Sequence, residues 1–213
     1  LVPVVLHDPD LERVFGMDTQ TAGHDFESLK GLCPALPSLQ QVVERFGNKM
    51  HLMIEVKSEH YPNPKQQNTI LEAILSNLIP GQDYHLISLD PEMLELIECV
   101  PDHAKMPVAE LNVGKLSEIA LEKNYAGVLG HYFLLNGRLV QKHLEAGQKV
   151  GTGYPDSRNC MSRELNRGVN WLFSNDAGEL EQIRKTTLAA VSYTHHRAHE
   201  TLRDLVCRLQ LAK

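Results

Sequence analysis

HLMIEVK, residues 51–57, decides the fold. An apolar run of strand length ends abruptly in two charged groups, Glu55 and Lys57. Upstream, Pro37-Ser38 opens a helix in which Leu39, Val42, Val43 and Phe46 recur at helical spacing. Downstream, Ile70, Leu71, Ile74, Leu75 and Leu78 mark another helix, ended by Pro80-Gly81. A strand held between two amphipathic helices is the unit of a parallel sheet with a helical coat.

The unit repeats. YHLISL is a strand, and Asp90-Pro91 caps the helix of Leu94 and Ile97. KMPVAEL is a weaker strand, because Pro107 cannot donate to a ladder. Leu116, Ile119 and Ala120 mark a short helix and YAGVLG a strand. Leu139, Val140, His143 and Leu144 form a helix stopped at Gly147. KVGTGY is a strand, Met161 to Leu165 a helix, NWLFSN a strand, and Glu179 to Lys185 opens the last helix. Counted from HLMIEV this predicts an α/β chain of six βα units. That number fits a TIM (β/α)₈ barrel lacking its first two strands. The rival is an open doubly wound sheet, but no GxGxxG or P-loop follows any strand. VPVVLHD, residues 2–8, stands apart, and the polar stretch from Glu12 to Leu36 shows no obvious helix.

The 213 residues, 42% hydrophobic, suffice for one sizeable core. A net charge of −6 argues against non-specific nucleic-acid binding, which needs a cationic surface. It leaves room for an anionic small substrate, since a metal and a few local cations can reverse the field in one cleft. No apolar run approaches the ~20 residues of a membrane span. The four cysteines are scattered and read as reduced thiols, which leans towards the cytoplasm. From about Ala190 the rhythm breaks. Residues 190–213 resemble translated adaptor sequence and read as a tail foreign to a domain of residues 1–189. His195 and His199 within it sit four apart, but no acid is placed as in HExxH zinc sites.

Glu55 and Lys57, two apart on a strand, share one side of it, while Val56 faces the helix layer. Such a pair at a strand exit is either a structural ion pair or part of a site. His7-Asp8 ends the other apolar run, and Asp8 can equally begin a turn with Pro9. In a barrel, sites lie at the carboxyl ends of strands. Ser88 with Asp90, Glu110, His131, Thr152 with Tyr154, and Ser174 to Asp176 occupy such ends as well. His51 and His85 start strands, the wrong end for chemistry, and Trp171 reads as core. An imidazole, a carboxylate and a lysine brought together suit a phosphate ester. Cations offset the charge that repels the nucleophile, and a histidine titrating near 6.5 can protonate a poor leaving group.

VPVVLHDPDLERV, then PSLQQVVERFG, then HLMIEVKSEHYP resembles the glycerophosphodiester phosphodiesterase family, with its VVxHD, PxLxEVL and IEhK motifs in order. The likeness continues more faintly through HLISLDPEMLELI, VGTGYPD and GVNWLFSND, spanning roughly residues 2–184. It implies a TIM barrel of the PLC-like phosphodiesterase type. It also implies metal-dependent cleavage of a deacylated phospholipid diester into glycerol 3-phosphate and an alcohol such as choline or ethanolamine. Carried over by position, His7 is the acid–base catalyst, with Asp8 supporting it. Glu55 is a ligand of a divalent metal, Ca²⁺ or Mg²⁺, and Lys57 faces the phosphate. The family's opening HRG strand and ExD pair are not in the chain, so these residues alone are expected to be inactive. Gly151 stands where the family carries an aromatic, with Tyr154 a stand-in, and Asn175 stands in place of an aspartate. These departures favour the alternative, a non-catalytic barrel that binds a phosphorylated small molecule.

Overall fold

The computed structural model describes residues 1–59, 61, 63–192 and 208–212, and the side chains as far as residue 186. The N-terminal part comprises β1 (Val4–Val5), β2 (Asp10–Leu11), α1 (Glu12–Phe15), β3 (Met17–Gln20), α2 (Phe26–Leu32) and α3 (Leu39–Phe46). The repeating part follows as β4 (Leu52–Glu55), α4 (Pro64–Leu75), β5 (Tyr84–Ser88), α5 (Pro91–Leu96), β6 (Lys105–Ala109) and α6 (Val113–Glu122). It continues through β7 (Gly127–His131), α7 (Gly137–Glu145), β8 (Lys149–Gly153), α8 (Arg158–Asn166), β9 (Trp171–Phe173) and α9 (Ala177–Ser192), with β10 (Arg208–Ala212) last.

Strands β4 to β9 are parallel and lie side by side in chain order. A doubly wound sheet reverses its strand order at a switch point. This one does not, so the six strands curl into an incomplete TIM-type barrel. The two faces of the curl bury separate sets of side chains. Met53, Ile87, Met106, Leu129 and Trp171 form the inner cluster. Ile54, Val56, Leu86, Val128 and Val150 pack outward with helix residues such as Leu39, Leu71, Leu94, Leu116 and Val140. Val56 thus faces the helix layer, as its parity predicts.

The helix starts follow their caps. Ser38 and Gln41 form a reciprocal capping box on α3, and Asp90 accepts from Glu92 N at the start of α5. Pro107 lies within β6, between two partner strands. The stretch that showed no obvious helix contains two. α1 is a single turn, and α2 is held by Asp25, which accepts from Ser28 N. Leu29 and Cys33 pack there with Val4, Leu6, Leu11 and Leu36 in a small separate core.

β1 is antiparallel to β10, and β10 is parallel to β4, so β1 runs opposite to the barrel strands. β10 comes from the segment set apart as a tail. Residues 193–207, which hold His195 and His199, lie outside the described residues. No helix among the described residues is long and apolar enough to cross a membrane.

Candidate functional site

Glu55 ends β4 on the inner face and is 1% exposed. Lys57, two residues on, puts Nζ 3.0 Å from Glu55 Oε1. A lysine ammonium has three donors. One goes to Glu55, and the partly exposed head can turn the others towards a ligand. Tyr61 Oη donates to the Lys57 carbonyl (3.1 Å), pinning the turn that follows.

His7 and Asp8 form a second pair. His7 Nδ1 lies 2.5 Å from Asp8 Oδ1, and Arg13 Nε donates to Asp8 Oδ2. Arg13 and His7 both hold the Asp8 carboxyl below the usual carboxylate range. The His7 side chain is 52% exposed. The two pairs are not in direct contact with each other. No hydrogen bond or ion pair joins His7 or Asp8 to Glu55 or Lys57 among the described residues. β10 lies between the strands that carry them. Gln210 of β10 is level with Glu55, Leu211 with Val5 and Ala212 with Val4. β1 therefore lies one strand beyond β10 from β4 and runs in the opposite direction to it.

A metal needs more than Glu55. Calcium takes six to eight oxygens and magnesium a near-octahedral set. Among the described residues no group of three or more His, Cys, Asp or Glu side chains is placed to hold a metal ion. The residues described do not by themselves fit one.

The barrel mouth holds a cavity of about 330 Å³ at the carboxyl ends of β5 to β9. Its polar lining is Glu110, His131, Tyr154, Ser174 and Asn175, set among Ile87, Val108, Leu129 and Phe173. Ile87 is the register partner of Glu55 in the adjacent strand, while neither Glu55 nor Lys57 is among the residues that line this cavity. Sequence position already placed Glu110, His131 and Tyr154 at strand ends. What position could not reveal is how Gly151 shapes the wall. A Cβ there would lie 2.5 Å from Leu129 Cδ2 and 2.8 Å from Phe173 Cε2. The missing side chain in β8 makes room for the Phe173 ring from β9. Tyr154 sits in the left-handed region (φ 67°) while its N–H donates to Phe173 O (2.6 Å). A non-glycine residue held there is strained, and such strain clusters at functional sites.

The opposite end of the barrel is plugged. His51, His85 and Trp171 stack there, and Lys149 Nζ lies 4.8 Å from the Trp171 ring centre. This agrees with reading His51 and His85 as structural and Trp171, 3% exposed, as core. His143 is buried too, between Ser117 Oγ (2.7 Å) and Gln148 Oε1 (2.6 Å).

No protein-family profile matches the chain, and no curated protein is significantly similar to it. Solved structures are similar in fold. A phosphodiesterase from Oleispira antarctica, in complex with its product sn-glycerol 3-phosphate, matches with a TM-score of 0.69 at 19% identity, over 86% of this chain and 80% of that one. A glycerophosphodiester phosphodiesterase from Parabacteroides distasonis matches at 0.64 and 19%, over 88% and 79%. Another from Agrobacterium tumefaciens matches at 0.62 and 16%, over 81% and 78%. The chain therefore has the barrel fold that these glycerophosphodiester phosphodiesterases share, in incomplete form.

Proposed function

We propose that this protein is a phosphoric diester hydrolase of lipid and glycerol metabolism. It would cleave glycerophosphodiesters to glycerol 3-phosphate and an alcohol. The observation that carries this reading is the position of Lys57. An ammonium oriented by a buried carboxylate stands at the carboxyl end of a barrel strand, in a fold whose similar structures include one holding glycerol 3-phosphate. Lys57 binds the phosphate and offsets the charge that shifts in the transition state. Glu55 fixes the direction of that ammonium. His7, oriented by Asp8, is the proposed acid for the leaving alkoxide. A divalent metal, Ca²⁺ or Mg²⁺, belongs to the proposal through the sequence resemblance. It would add Lewis-acid stabilisation of the phosphoryl oxygens, with Glu55 as one ligand, and no step here runs through it. The free thiols Cys33, Cys99 and Cys160 support a reducing compartment such as the cytoplasm.

The second reading is a barrel that binds a phosphorylated small molecule without turning it over. Gly151 and Asn175, where the resemblance leads one to expect an aromatic and an aspartate, favour it. Two measurements on the same protein divide the readings: affinity for glycerol 3-phosphate, and its release from glycerophosphocholine with Ca²⁺ or Mg²⁺ present. The hydrolase predicts both, with affinity falling about tenfold in Lys57→Ala, as expected for one charge-assisted hydrogen bond. Binding without release selects the second reading. Equal affinity in the wild type and Lys57→Ala removes Lys57 from the site.

A further inference from the structure

From the cavity at the carboxyl ends of β5 to β9 we infer a binding site for the hydrocarbon chain of a single-chain amphiphile, with Gly153 holding it open and Leu111 at its rim. The inference stands apart from the hydrolase reading and uses none of His7, Glu55 or Lys57. Three observations converge on it.

The first is room. Inward and outward side chains alternate along a barrel strand, so each strand adds one residue to every inner layer. Gly151 faces inward, since a Cβ there would meet Leu129 Cδ2 and Phe173 Cε2. Gly153, two residues on, faces the same side and lines the cavity. A Cβ at Gly153 would meet only the Gly130 carbonyl oxygen within 4 Å, at 3.7 Å, and its backbone lies outside the left-handed region. The position tolerates a side chain and carries none, which leaves its layer open. The resulting cavity, about 330 Å³, is at the small end of ligand pockets.

The second is the floor. Ile87, Val108, Leu129 and Phe173 form the lower layer, and Met106 and Trp171 belong to the same inner cluster beneath it. No Lys or Arg lines the cavity among the described residues, and the one acid of the lining, Glu110, repels an anionic group. His131 Nδ1 is already engaged, since it accepts from the Phe133 N–H (3.2 Å). A peptide or a sugar would press N–H, C=O or hydroxyl groups against this floor without partners, at a cost for each. A hydrocarbon chain brings none.

The third is the rim. Leu89, Leu111 and Phe133 follow β5, β6 and β7 within two residues, and those strands are paired neighbours. They are 38%, 91% and 78% exposed. Exposed apolar side chains are normally scattered singly. Leu89 and Leu111 also line the cavity, so apolar surface extends from the buried Ile87 to the solvent-facing Leu111. A chain that enters covers Leu111, and its polar head stays outside.

The test uses probes on the whole 213-residue chain, kept below micelle formation and read by chemical-shift changes. Dodecylphosphocholine and dodecyl maltoside are expected to bind, and phosphocholine and maltose not to. From octyl- to dodecylphosphocholine, affinity should rise about fourfold per methylene. Gly153→Leu, which fills the open layer, should lower the affinity for dodecylphosphocholine at least tenfold. Leu111→Ser, at an exposed side chain, should lower it about tenfold. Urea unfolding followed by Trp171 checks that Gly153→Leu is folded, and if it is not, Leu111→Ser alone decides. Binding of phosphocholine as tight as that of dodecylphosphocholine overturns the inference, and so does an affinity for the detergent that the folded variants leave unchanged. Neither result touches the hydrolase reading, which is tested separately through glycerol 3-phosphate and Lys57.

Discussion

Acid should destabilise this protein through His85, before most carboxylates titrate. His51 Nδ1 lies 2.7 Å from the Gln82 carbonyl, so His51 donates there and its Nε2 is left to accept. His85 Nδ1, 2.7 Å from that Nε2, must then donate. The remaining nitrogen, His85 Nε2, is buried without a partner. A proton added there would create a cation with no acceptor, close to Lys149, His51 and His103. Burial first, then these three neighbours, lower the His85 pKa from 6.5 to about 3. The unfolded chain therefore binds the proton more readily than the folded one, and stability falls with pH. The contribution is complete above about pH 6.5 and is lost progressively towards pH 3. At 1.36 kcal/mol per pH unit, the loss is about 2 kcal/mol at pH 5 and about 5 kcal/mol at the acid limit. A small domain has only about 5–15 kcal/mol in total. Urea unfolding followed by Trp171, which packs 5.0 Å from the His85 ring, reads this directly. Between pH 7 and pH 5 the midpoint should fall by about 1 M, for an m value near 2 kcal/mol/M. His85→Leu should flatten most of that slope, leaving the part due to His143, whose pKa burial also lowers. An identical slope in the wild type and His85→Leu would refute the reasoning.

Two further predictions concern what holds the site's frame. Glu164 is 0% exposed and accepts from Arg163 Nε (2.9 Å) and Arg167 Nη1 (3.0 Å), while Arg167 also donates to the Leu135 carbonyl. Glu164→Ala strands a half-buried guanidinium and should cost about 3–5 kcal/mol in urea unfolding, whereas Arg163→Ala, at a half-exposed side chain, should cost about 1 kcal/mol or less. Gly127 has φ 152°, and a Cβ there would fall 1.7 Å from the Lys149 carbonyl oxygen. Gly127→Ala should therefore exceed the ~1–3 kcal/mol of ordinary overpacking and separate β7 from β8, seen as loss of soluble yield.

The barrel was legible from residue 51 onward because each strand is a continuous apolar run between helix caps, the signature of a sheet covered on both faces. That same continuity hides which face is inside. In β4 Glu55 and Lys57 broke it, and their alternation with Val56 assigned the two faces correctly. α2 escaped because it is seven residues long and buries Leu29 alone, yet Asp25 followed by Ser28 was a usable cap signal. The direction of β1 was not legible at all. A two-residue strand carries no direction of its own, and its partner here is Leu211-Ala212, some two hundred residues away. The fit of Phe173 over Gly151 was equally hidden. Gly151 read only as a departure from the family's aromatic, and the Phe173 ring packed against it from the neighbouring strand left no trace in the pattern.

That packing bears on how the departures from the family pattern weigh on function. A glycine in place of an aromatic would argue for a dead site if the mouth were left without a ring. Here Phe173 and Tyr154 supply two rings, and Tyr154 is kept in a backbone conformation that costs about 1–3 kcal/mol elsewhere in the fold. Glu110, at the end of β6, lines the same cavity as these rings. A strained Tyr154 beside the packed Phe173 ring therefore argues that the mouth is kept for a ligand, and Gly151 alone does not mark a dead site.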